Sequence, residues 1–133
     1  MMDRSRPGIT SCAAAATASP RFHESIVRLN LLAPLNLAQA ANAQMQRQDA
    51  GGVIVFIGSI SALRPSPGTA AYGAAKAGLI SLTSSLAMEW APRVRVNAVS
   101  AGMVRTEGFE AYYGGPEGAT AVETSATLTA GQH

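Results

Sequence analysis

The sequence predicts an α/β fold in which two helices and two parallel strands alternate in the order αβαβ. Three observations predict it. Val53-Ile54-Val55-Phe56-Ile57 is an unbroken apolar run between glycines, the pattern of an interior strand in a parallel sheet with both faces covered. Downstream, Leu79, Leu82, Leu86 and Trp90 recur at helical spacing. A second apolar run, Val94 to Val99, follows directly, and two parallel strands joined through a helix form a right-handed crossover.

Taken in order, the expected elements are a helix over residues 22–47, a strand over 53–58, a loop rich in Ser and Pro, a helix over 70–90 and a strand over 94–99. Within the first helix, Pro34 has no N–H to give the carbonyl of Asn30, so the hydrogen-bond ladder is expected to open there and the helix to kink. Thr69 is placed to cap the second helix, and Pro92 sits just past its end. The small residues Ala70, Ala71, Gly73, Ala74, Ala75, Ala77 and Gly78 give that helix a surface that another helix, or its own sheet, can approach closely.

Composition narrows the function classes. At 133 residues and 47% hydrophobic, the chain is one domain with a modest core. The net charge of +2 comes from scattered arginines without a basic run, which argues against nucleic acid. Cys12 is the single cysteine, so neither a disulfide framework nor a metal-ligand spacing is present. No stretch reaches the ~18 uninterrupted apolar residues of a membrane span. A reducing cytoplasm is the expected compartment. Residues 1–19 are Arg-, Ser- and Ala-rich and read as a disordered tail, their alanine run being too weakly apolar for a signal core. Residues 111–133 read as an irregular C-terminal segment, leaving 20–110 as the folded portion.

Chemistry concentrates around Tyr72 and Lys76. Four residues apart, they share one helix face. Lys76 is the only lysine among ten basic residues, and lysine is the cation whose proton can be moved. Ser59 closes the first predicted strand, at the sheet edge where open α/β folds bind ligands. Ser61 and Ser66 stand nearby as alternatives.

Ser59, Tyr72-x-x-x-Lys76, Asn30 in the preceding helix and the strand Val94-Arg95-Val96-Asn97-Ala98-Val99 together resemble the short-chain dehydrogenase/reductase family. The resemblance covers about residues 20–110 and implies a Rossmann-like, doubly wound sheet of which the αβαβ unit is a portion. It implies an NAD(P)-dependent oxidoreductase that moves hydride between nicotinamide and a small ketone or secondary alcohol. The thirteen-residue offset to Tyr72 favours Ser59 over Ser61. The catalytic set implied is Asn30, Ser59, Tyr72 and Lys76, with the Asn30 carbonyl holding a water that links the lysine to solvent. Cofactor contacts fall on Tyr72, Lys76, Val104 and Thr106, although Ala101 stands where the family usually has proline. Helices 22–47 and 70–90 are the implied homo-oligomer surface.

The implied reaction follows from side-chain properties. A phenol with the ordinary pKa near 10 is a poor base at neutral pH, and an ammonium beside it favours the phenolate. A serine hydroxyl holds the substrate oxygen in line. Two family features have no counterpart, the Gly-rich turn that seats the pyrophosphate on a helix N-terminus and the Asn-Asn-Ala-Gly strand. Weak binding of NAD or NADP is therefore expected, and the alternative reading is an inactive truncated fragment or a dimerisation module. A Ser/Lys acyl hydrolase built on Ser59 and Lys76 lacks both the Ser-x-x-Lys and the nucleophile-elbow patterns.

Overall fold

A computed structural model describes residues 14–103. The expectations for residues 1–13 and 104–133, including the cofactor contacts at Val104 and Thr106, lie outside the described residues. The chain begins its first helix, α1 (Pro20–Val27), on two local signals: the Ser19 hydroxyl accepts the Phe22 N–H at 3.1 Å, and Pro20 occupies the first helical position. A π turn (Arg28–Leu32) joins α1 to α2 (Ala33–Met45). Strand β1 (Gly52–Ser59) ends in a short 3-10 turn (Ile60–Ala62), after which α3 (Ala70–Trp90) leads to β2 (Val94–Ala101).

The single helix expected over 22–47 is thus two helices. Pro34 cannot donate to residue 30, and its ring crowds that carbonyl. The ladder widens instead, with the Ala33 N–H donating to the Arg28 carbonyl five residues back. Asn30 lies inside this turn, 2% exposed, and its side-chain amide donates to the Ile26 carbonyl at 3.0 Å. Thr69 is a second correction: it stands at the N-cap of α3, but its hydroxyl makes no cap bond to the helix and goes to Ser66.

Strands β1 and β2 form a two-stranded sheet. Their pairing is parallel, because the Gly52 N–H donates to the Arg93 carbonyl at 3.0 Å at one end while Gly58 lies against Val99 and Ser100 at the other. Gly51 makes the entry to β1 possible: its φ is +65°, and a Cβ there would stand 2.0 Å from the Arg93 carbonyl oxygen. At the carboxyl ends of α2 and α3, beside these strand starts, the Gln46 side chain donates to the Trp90 carbonyl at 3.1 Å, and the Ala91-Pro92 peptide is cis.

The core lies between the helices and one sheet face. Phe56, Val94 and Val96 from the sheet meet Ala38 from α2 and Leu79 and Leu86 from α3. Leu82 and Trp90 flank them, as the helical stripe predicts. The other face corrects the reading of β1 as covered on both sides: Val53 (44%), Val55 (50%), Ile57 (62%) and Val99 (58%) are exposed. Side chains alternate along a strand, so one apolar half of the run faces the helices and the other faces outward. The small residues of α3 divide likewise. Gly73, Ala75 and Gly78 pack within the chain, Gly78 against Leu31, whereas Ala70, Ala74 and Ala77 are exposed.

Leu79 is 1% exposed at the centre of this contact. We expect Leu79→Ala to lower the unfolding free energy by about 3 kcal/mol in urea titrations followed by circular dichroism. A loss under about 1 kcal/mol would contradict the packing described.

Candidate active site

The site gathers at the carboxyl end of β1, where α3 crosses it. Lys76 is 8% exposed, and a buried ammonium needs a hydrogen-bond partner. It donates to the Ile57 carbonyl at 2.8 Å, a bond from the first half of α3 to the last turn of the strand before Ser59. One helical turn upstream, Tyr72 (9% exposed) presents its ring to the same ammonium, 5.7 Å from Nζ to the ring centroid, within cation–π range. Burial lowers the Lys76 pKa from its ordinary value of 10.5, because desolvation disfavours the charged form.

Ser59 is the last residue of β1 and is also 9% exposed. Its Oγ accepts the Ser61 N–H at 3.2 Å, capping the 3-10 turn, which leaves its own O–H to donate. Ser61 and Ser66, the competing serines, have their hydroxyls bonded to each other at 3.2 Å. Ser59, Tyr72 and Lys76 are thus brought to one edge of the sheet, each on the element expected. Asn30 sits on the π turn that packs against α3, and its side-chain amide donates back to the Ile26 carbonyl at 3.0 Å.

Two contributors were not read from the sequence. The Ile57 carbonyl that anchors Lys76 belongs to the backbone and has no residue-type signature. The Ser61, Ser66 and Thr69 hydroxyl cluster has only the spacing of hydroxyl-bearing residues, five and three apart, as its signal in the sequence.

The short chain dehydrogenase family profile matches residues 7–114. The chain belongs to that family. It is 39% identical over 79 residues to dehydrogenase/reductase SDR family member 4 of Homo sapiens, a match covering 59% of this chain and 28% of the relative. Among solved structures, 4-hydroxyisoleucine dehydrogenase complexed with NADH and succinate is 35% identical with a TM-score of 0.71, over 77% of this chain and 44% of that one. A gluconate 5-dehydrogenase candidate from Beutenbergia cavernae, with NADP bound at low occupancy, is 33% identical with a TM-score of 0.78 over 86% and 46%. The fold is accordingly a portion of the family's Rossmann-like sheet, and this chain spans less than half the length of each of these relatives.

The Lys76 shift has a testable sign. A lysine whose folded-state pKa is lowered loses its proton in the folded chain at a pH where the unfolded chain still holds it, so stability rises with pH through that window. As pH is raised toward 10.5, the urea midpoint of the wild type should gain on that of Lys76→Met. A constant difference between the two would show that burial does not disfavour this ammonium.

Proposed function

We propose that this chain carries the catalytic wall of an NAD(P)-dependent oxidoreductase acting on a small ketone or secondary alcohol. The observation that carries the reading is the buried Lys76 ammonium, held on the Ile57 carbonyl beside the Tyr72 ring with Ser59 at the same strand end. In this reading Tyr72 gives a proton to the substrate oxygen, and Lys76 steadies the negative charge that develops on the phenol. The Ser59 O–H donates to the same oxygen and holds the reacting carbon in place. Asn30 supports Lys76 from the π turn. When bound, the nicotinamide supplies or accepts the hydride.

The residues present fit one end of that cofactor. One of the three Lys76 N–H groups is used by Ile57, leaving two for nucleotide hydroxyls beside Tyr72. Val104 and Thr106 remain the proposed nicotinamide contacts by family resemblance. Among the described residues no Gly-rich turn opens a helix toward a pyrophosphate, which supports weak binding of NAD or NADP by this chain alone. We propose a cytoplasmic location for a chain whose single cysteine offers no disulfide framework. Separately, no described helix is long and apolar enough to cross a membrane.

Exposed apolar side chains on the helices support homo-oligomerisation through 22–47 and 70–90: Leu37 is 73% and Met88 84% exposed, and Ala74 and Ala77 in the first half of α3 are open as well. The same exposure favours the second reading, a dimerisation module without turnover. Titration with NADH and with NADPH, followed by nicotinamide fluorescence, separates the two. We expect saturable binding that Lys76→Ala weakens, and in an active preparation we expect Tyr72→Phe to lower kcat by roughly 10²–10⁴-fold while binding persists. A folded chain that binds neither nucleotide would overturn the oxidoreductase reading in favour of the module.

A further inference from the structure

We propose that Ser66 is a positioning residue for Ser59, fixing that hydroxyl at the end of β1 through a directed chain of hydroxyl groups anchored at the start of α3. Ser59 Oγ accepts the Ser61 N–H at 3.2 Å, so its setting follows the position of the 3-10 turn. That turn is held from its other side. Ser66 Oγ donates to Ser61 Oγ at 3.2 Å, and Ser66 Oγ is also bonded to Thr69 Oγ1, at the N-cap of α3 three residues before Tyr72.

A hydroxyl has one proton, which gives the chain a direction. With the Ser66 proton on Ser61, the single Thr69 proton is shared between Ser66 Oγ and the Ser66 carbonyl, 3.3 Å from Thr69 Oγ1, so both of its acceptors lie on Ser66, and the Ser61 O–H is left to donate onward. Backbone bonds close the same path: the Thr69 N–H donates to the Ser66 carbonyl at 3.1 Å, and the Gly73 N–H to the Thr69 carbonyl at 2.9 Å. Gly73 admits the strap to the helix, since a Cβ there would stand 2.9 Å from the Ser61 carbonyl oxygen and 3.5 Å from Ser66 Cβ. Ser61, Ser66 and Thr69 are all half-buried, where such a network is stronger than in open water. Removing the Ser66 hydroxyl leaves the turn its backbone bonds and its packing on α3 but cuts the hydroxyl link between them. Ser59 then loses its fixed place relative to Tyr72.

The inference rests on the proposed role of Ser59, so its test does not depend on turnover. In amide hydrogen exchange followed by NMR, Ser66→Ala is expected to speed exchange at Ser61 about tenfold, leaving Leu79 and Val94 in the core unchanged, and Ser66→Thr to restore the wild-type rate. If Ser66→Ala does not fold, Thr69→Val cuts the same chain at its other end and is expected to give the same acceleration. Unchanged Ser61 exchange, or equal acceleration of the core without rescue by threonine, overturns the proposal. In an active preparation, Ser66→Ala should lower kcat roughly ten- to hundredfold with KM for NADH unchanged. Accelerated Ser61 exchange in a chain that binds no nucleotide would keep the strap and reject the oxidoreductase reading instead.

Discussion

The arrangement of this chain depends on one buried ammonium and the backbone carbonyl that receives it. Lys76 has so little access to water that its charge is tolerable only with a partner, and the partner is Ile57 of β1. Because that acceptor is main chain, the lysine is located by the path of the strand and not by another side chain. The bond settles how α3 lies across the end of the sheet. Tyr72 is carried to the ammonium from one helical turn upstream, and Ser59 follows Ile57 by two residues along the strand. Nonpolar packing of Leu79 and Leu86 on Phe56, Val94 and Val96 holds the crossing below, so the polar contact is a register mark on a mainly apolar joint.

Much of this was legible in the sequence, for reasons that differ between elements. Helix α3 was readable at both ends because Thr69 and Pro92 punctuate it, and its Leu79–Trp90 stripe has one period. Pro34 announced a disturbance but not its form, since a kink and a widened turn both relieve the same clash. Thr69 was assigned as a cap by residue type, yet Ser66 supplied a nearer partner for its hydroxyl. The covered or open state of a strand face is not a property of the strand, and Val53, Val55 and Ile57 look alike in either case. Of the candidate site, Ser59, Tyr72 and Lys76 were legible through their spacing, and the anchoring carbonyl was not, because every residue has one.

The open sheet face gives physical meaning to the comparison with longer relatives. A parallel strand that is apolar on both sides belongs in a layer with helices above and below. Here the helices cover one side, and a two-stranded sheet by itself is marginal. The described unit therefore draws its stability from helix packing on a single face, while its second face carries the composition of an interior.

The π turn does more than accommodate proline: it resets the phase of the helix. Ile26 and Ala38 are the most buried apolar residues of α1 and α2, at 1% and 3% exposure. At about 100° per residue, twelve positions in an unbroken helix would set them roughly 120° apart around the axis. A π turn takes one residue out of that count, which brings the two within roughly 20° of each other. The widened turn is thus a phase corrector: one surplus residue, inserted ahead of Pro34, lets two helical segments with out-of-step patterns present a common face to the core.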